Sequence, residues 1–126
     1  MLSFKDIGLK PFLINAIDDL GFQKPTDVQK ECIPLLLKSD NDLVDLAQTG
    51  TGKTAAFGMP LLQKININSN HTQGLILSPT RELCIQITKE IQSYAKHLPK
   101  VNIVAVYGGS NIQEQSKKIK KGAHII

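Results

Sequence analysis

The octet Ala47-Gln48-Thr49-Gly50-Thr51-Gly52-Lys53-Thr54 constrains this chain more than any other stretch. The apolar run Leu43-Val44-Asp45-Leu46 precedes it, and the helix-compatible run Ala55-Ala56-Phe57 follows. A short apolar run, two glycines and a helix former read as strand, tight loop, helix. Gly50 and Gly52 permit backbone angles and a close approach that a Cβ would forbid. Successive N–H groups in such a loop turn inward as an anion nest, and the next helix points the positive end of its dipole at the same place. That is the setting of a P-loop. In it, Lys53 reaches the terminal phosphates of a nucleoside triphosphate and the Thr54 hydroxyl ligates Mg²⁺. Ala47 stands where G-x-x-x-x-G-K-[ST] has its first glycine, so the match is incomplete and a plain Gly/Thr turn is the alternative.

At 126 residues the chain has the length of one domain and can bury a core. Apolar and charged contents of 41% and 21% are those of an ordinary globular protein. No apolar run reaches the length of a membrane span, and the start Met1-Leu2-Ser3-Phe4-Lys5-Asp6 lacks a secretory core. Cys32 and Cys84 have no metal-ligand spacing and read as buried free thiols, which points to a cytoplasmic protein. The net charge of +4 favours an acidic partner only mildly. Lys117, Lys118, Lys120 and Lys121 cluster, and such a run is either a solvated helix face or a phosphate contact.

Elements alternate along the chain. Pro11 opens a helix with Leu13, Ile14, Ile17 and Leu20 on one face, and Gly21 stops it. Thr26 is the expected N-cap of a second helix with Val28, Cys32, Ile33, Leu36 and Leu37 on its apolar stripe. A strand over 42–46, the P-loop and a helix to about Lys64 follow, with Pro60 expected to kink or shift that helix. Residues 66–73 form a polar surface loop, and Gly74-Leu75-Ile76-Leu77 reads as a buried parallel strand. Thr80 caps a helix carrying Leu83, Ile87, Ile91 and Tyr94. Val101 to Val106 is a strand ended by Gly108-Gly109. Asn111 starts a helix to Lys121, and a last strand begins at Ala123. The expected class is therefore α/β, a parallel sheet with helices on both faces. Right-handed crossovers bring the P-loop, Ser78-Pro79-Thr80-Arg81 and Gly108-Gly109 to one carboxyl edge, where ligands bind.

Upstream lies Gly21-Phe22-Gln23-Lys24-Pro25-Thr26-Asp27-Val28-Gln29. The Gln29 amide can donate to and accept from an adenine edge. Phe22 offers a stacking face worth roughly 1–3 kcal/mol, by analogy with nucleic-acid sites. By themselves these residues also read as a core aromatic and a solvent-facing glutamine.

Phe4, residues 21–29, residues 47–54, Pro79-Thr80-Arg81-Glu82-Leu83 and Tyr107-Gly108-Gly109 stand in one order. Together they resemble the N-terminal part of the first RecA-like domain of DEAD-box ATP-dependent RNA helicases, from Phe4 to Ile126. That family carries alanine at the position of Ala47. The resemblance implies a truncated RecA-like P-loop NTPase fold, with an adenine-recognition region over 1–40 and a P-loop and RNA-contact core over 41–126. It implies ATP held by Phe4, Phe22, Lys24, Thr26, Gln29, Ala47, Gln48, Thr49, Gly50, Thr51, Gly52, Lys53 and Thr54, with Gln29 on the adenine, Lys53 on the β/γ phosphates and Thr54 on Mg²⁺. It implies RNA backbone contacts from Pro79, Thr80, Arg81, Gly108, Gly109 and Gln115. Arg81 otherwise reads as a salt-bridge partner for Glu82 or a neighbour, and the glycine pair as a plain turn.

The family's Asp-Glu-Ala-Asp motif does not occur in the sequence. That motif supplies the second Mg²⁺ contact and the water-positioning glutamate, and a second RecA-like domain supplies arginines. The expectation is therefore a piece of a helicase that binds nucleotide without efficient turnover, its sheet edge exposed. A non-catalytic nucleotide- and RNA-binding module and an unrelated P-loop phosphotransferase are the competing readings.

Overall fold

A computed structural model describes residues 1–126. It builds five helices: α1 (Pro11–Asp19), α2 (Asp27–Lys38), α3 (Lys53–Lys64), α4 (Arg81–Tyr94) and α5 (Ile112–Lys120). Pro11 stands in the first turn of α1, where its missing N–H leaves no hydrogen bond unmade. Leu13, Ile14 and Ile17 are buried, whereas Leu20 falls at the C-cap and is 41% exposed. The helix ends one residue before Leu20, which leaves it off the buried stripe. Gly21 takes the left-handed turn after it at φ 76°.

Thr26 caps α2 through a capping box: its hydroxyl accepts from the Gln29 N–H, and the Gln29 side chain accepts from the Thr26 N–H. Thr80 caps α4 by accepting from the Leu83 N–H, and Asn111 caps α5 by accepting from the Gln113 and Glu114 N–H groups. Pro60 does not end α3, which runs through it to Lys64, and Pro34 lies inside α2 likewise. A proline inside a helix costs about 3 kcal/mol in isolation. Here the two helices concerned pack against each other, and that burial offsets the missing hydrogen bonds.

The core gathers Leu13 and Ile17 of α1, Ile33 of α2, Met59 and Leu62 of α3, Ile91 and Tyr94 of α4, and Ile125. Phe4, Ile7 and Leu9 join it, so the N-terminal segment is part of the packed unit. The Gln63 amide fastens that segment, accepting from the Lys10 N–H at 2.8 Å and donating to the Gly8 carbonyl at 3.0 Å. Cys32 is buried as expected, but Cys84 only half so.

The expected continuous parallel sheet is not formed. Its trace is a pair of parallel bridges, from Ile125 to Gly74 on one side and to Ile103 on the other. The bonds Ile76 N–H to Ile126 carbonyl, Ile126 N–H to Gly74 carbonyl and Val104 N–H to Ile125 carbonyl hold the three segments side by side. Residues 42–46 pair with none of them, and Val44 and Leu46 are 86% and 94% exposed. Leu75 and Leu77 are exposed as well, so 74–77 is not the buried strand its apolar run suggested. A parallel strand is buried only when a neighbour lies on each side and helices cover both faces. Residues 74–77 have a neighbour on one side only. The parallel sense nevertheless carries the chain ends after Leu77 and Val106 to the same edge.

Candidate nucleotide site and adjoining loops

The P-loop closes over the start of α3. Gly50 and Gly52 adopt φ 77° and 80°, and Gly52 is the N-cap of α3. A glycine offers no side chain to cap the helix, and none is supplied from elsewhere. The backbone N–H groups of Gly50 through Ala55 donate to no acceptor in the protein; Ala56 is the first to bond, to the Gly52 carbonyl. These free donors and the positive end of the α3 dipole make an anion cradle. The Lys53 ammonium is folded back onto the Ala47 carbonyl at 2.8 Å, and the Thr51 hydroxyl donates to the Gln48 carbonyl at 2.7 Å. The octet is thus a preformed ring of donors whose cation is parked on its own backbone.

An open crevice of about 740 Å³ lies against this ring, bordered by Thr49, Lys53, Thr54, Asp45, Gln86 and Glu90 among others. That volume suits a nucleotide-sized ligand. Thr54, in the first turn of α3, lines the same crevice, and its hydroxyl is an oxygen donor of the kind that could ligate Mg²⁺.

Gln29, on α2, is buried against the ring. Its Nε2 donates to the Gly52 carbonyl at 3.2 Å, and its Oε1 accepts from the Thr26 N–H at 3.0 Å. Thr26 adds a second strap, its hydroxyl donating to the Thr51 carbonyl at 2.9 Å. The capping box of α2 and the P-loop are therefore one hydrogen-bonded unit. Phe22 and Lys24 lie exposed on the loop leading into it, which removes the core reading of Phe22. Phe4 stands apart: it is 5% exposed within the core cluster and presents no face to a ligand.

The second constellation assembles at the sheet edge. The Arg81 guanidinium lies over the Tyr107 ring, 5.1 Å from its centroid. It reaches Gly109 so closely that a Cβ there would stand 3.1 Å from Nη1. Arg81 belongs to none of the ion pairs of the fold, so the Glu82 partnership is not made. Thr80, Arg81, Gly108 and Gly109 are exposed together, as is Pro79. Gln115 is not: its Oε1 accepts from the Tyr107 N–H at 3.2 Å and its Nε2 donates to the Tyr107 carbonyl at 3.0 Å. Both bonds turn the amide onto the Tyr107 backbone, so Gln115 supports the loop from within. Tyr107 emerges as a residue of this edge that its place before two glycines signalled only as a turn neighbour.

The family model described as DEAD/DEAH box helicase matches residues 26–126. The chain is 44% identical over 124 residues to an ATP-dependent RNA helicase DeaD of Escherichia coli, covering 98% of this chain and 20% of that protein. It is 43% identical over 126 residues to the DEAD-box ATP-dependent RNA helicase CshA of Bacillus cereus, covering 100% of this chain and 24% of that protein. Among solved structures, a DEAD box protein from Methanococcus jannaschii superposes with a TM-score of 0.89 at 40% identity, over 99% of this chain and 34% of the other. The RNA helicase Prp28 of Chaetomium thermophilum, solved with ADP, gives 0.87 at 36% identity over 100% of this chain and 31% of the other. The chain thus spans between a fifth and a quarter of the length of these curated relatives. With the donor ring, the Gln29 strap and the Arg81 edge in place, the chain belongs to the DEAD/DEAH box helicase family.

Proposed function

We propose that this chain is the ATP-binding and RNA-contacting part of a longer ATP-dependent RNA helicase, with residues 1–40 recognising adenine and 41–126 carrying the P-loop and RNA core. The observation that carries the reading is the donor ring: free N–H groups from Gly50 to Ala55 beside a lysine held only by the Ala47 carbonyl. A triphosphate would replace that carbonyl with phosphate oxygens on Lys53, and Thr54 together with the phosphates would hold an accompanying Mg²⁺. Bound Mg²⁺ neutralises charge on the phosphates. The chain's own residues bind and orient.

Gln29 can read adenine without leaving its strap. Its NH₂ has two hydrogens and its carbonyl oxygen two lone pairs, and the clasp uses one of each. The second pair faces an adenine edge as a donor and an acceptor, a pattern guanine does not match. Phe22 stacks on the base, and Lys24 and Thr26 shape the pocket. Phe4, sealed in the core, serves the site only by packing the segment that precedes it.

RNA lies along Pro79, Thr80, Arg81, Gly108 and Gly109. A Cβ on Gly108 would meet no neighbour, so its bareness is not a packing requirement and leaves room for a phosphate. One solved relative, Dbp5 of S. cerevisiae, superposes with a TM-score of 0.81 at 31% identity and was solved with RNA and ADP BeF3. Contacts of this sort are to the backbone and carry little sequence preference. The water-positioning carboxylate and the arginines of a second RecA-like domain lie outside these residues, so the chain alone binds nucleotide without turning it over. Phosphate release tests this. The full-length protein should hydrolyse ATP faster with RNA present and lose that activity with Lys53→Ala, while the 126-residue chain stays at background. Turnover by the chain alone that Lys53→Ala abolishes would contradict the division of labour.

A further inference from the structure

We propose that Tyr107, clamped by Gln115, is a positioning residue that holds the Arg81 guanidinium ready for a phosphate and so joins the 79–81 and 108–109 loops into one contact. The proposal rests on the reading of these loops as the RNA-binding edge. Arg81 is exposed in the first turn of α4, and an arginine free in solvent samples many rotamers. Here the guanidinium lies over the Tyr107 ring at 5.1 Å, and no carboxylate neutralises it. A guanidinium held over a ring by cation–π attraction spends no N–H on a hydrogen bond, so the donors of the fork stay free for a bidentate acceptor. The fork lies beside Gly109, which at φ 78° brings bare backbone to the same point.

Tyr107 itself has little freedom. Gln115, 9% exposed, takes both its N–H and its carbonyl, as a neighbouring strand would. The Cys84 thiol of α4 reaches the Val106 carbonyl at 3.7 Å, tying the same segment to the helix that bears Arg81. The chain of support runs from α5 through Tyr107 to Arg81. An arginine ordered before binding loses less freedom when the phosphate arrives, which raises affinity without a new contact.

The test is a set of titrations of single-stranded RNA against the full-length protein at several salt concentrations, with ATP affinity followed in parallel. Arg81→Ala should lower RNA affinity and reduce the salt slope by about 0.7, one single-strand phosphate contact. Tyr107→Leu should weaken RNA binding about 3- to 5-fold, the size of an exposed cation–π contact, and leave ATP affinity unchanged. Tyr107→Phe, which keeps the ring, should match the parent. Added to Arg81→Ala, Tyr107→Leu should cause no further loss, because its effect passes through the arginine. Should Tyr107→Leu also lose ATP affinity, Gln115→Leu carries the same comparison. Losses that add in the double variant, or an Arg81 effect with no Tyr107 or Gln115 effect, would overturn the positioning role. No loss from Arg81→Ala would instead refute the RNA edge itself.

Discussion

Gln29 and Gly52, 23 residues apart, are joined by a 3.2 Å hydrogen bond from the glutamine amide to the glycine carbonyl. That bond makes the start of α2 and the start of α3 a single device, with the same side chain completing the capping box of α2. Replacing Gln29 by alanine therefore removes two bonds and leaves the Thr26 N–H without its partner. The expected loss is about 1–2 kcal/mol of stability, read as a lower urea midpoint at unchanged m-value. An unchanged midpoint would mean the clasp does not hold in solution.

The two P-loop glycines should differ in tolerance. Both sit at positive φ, so an added Cβ costs about 1–2 kcal/mol at either. At Gly50 the new atom meets nothing, whereas at Gly52 it overlaps the Gln29 amide nitrogen. Gly50→Ala is expected to weaken nucleotide binding modestly, and Gly52→Ala to abolish it while lowering thermal stability further. Equal effects in a fluorescent-nucleotide titration would contradict the arrangement.

Alkaline stability should carry the mark of Tyr94. Burial, aided by the nearby Glu90 carboxylate, pushes its phenol up to about 12 from 10. The folded state thus favours the neutral form more than the unfolded chain does. The associated stability is fully present below pH 10, declines as pH rises from there, and is gone above about 12. Two pH units correspond to roughly 2–3 kcal/mol. Urea unfolding measured across this window should show that slope in the parent and not in Tyr94→Phe; parallel profiles would contradict the burial argument.

Val44, Leu46, Leu75 and Leu77 are all more than two-thirds exposed, an apolar surface that a lone soluble domain rarely shows. The isolated chain is expected to bind a hydrophobic dye and to associate with rising concentration in sedimentation runs. Lysine in place of Val44 and Leu46 together should reduce both signals. A dye-free monomer at high concentration would show that this surface is covered in solution.

Much of this was legible in the residues. Caps at Thr26, Thr80 and Asn111 are local chemistry, fixed by a side-chain oxygen within three residues, so the helix starts could be read directly. The P-loop was legible for the same reason. Strand burial was not, because an apolar run such as 74–77 says only that partners are wanted, not that they are present. That α3 would run on past Pro60 was not legible either, since its packing against α2 and α4 is a tertiary term. Gln115 misled in the opposite direction: a motif position marked it as functional, but only coordinates show its amide turned onto Tyr107. Phe22 lies exposed, as a stacking face requires, whereas Phe4 is sealed in the core.

The central claim is that Gln29 reads adenine while strapped to the loop that holds the phosphates. Competition of ATP and GTP against a fluorescent nucleotide, in the parent and in Gln29→Ala, tests it most directly. The parent should prefer ATP by at least about fivefold, the discrimination of one bidentate base contact of roughly 1–3 kcal/mol, and the variant should lose most of that preference. A variant that keeps the parent's preference for ATP would contradict the account.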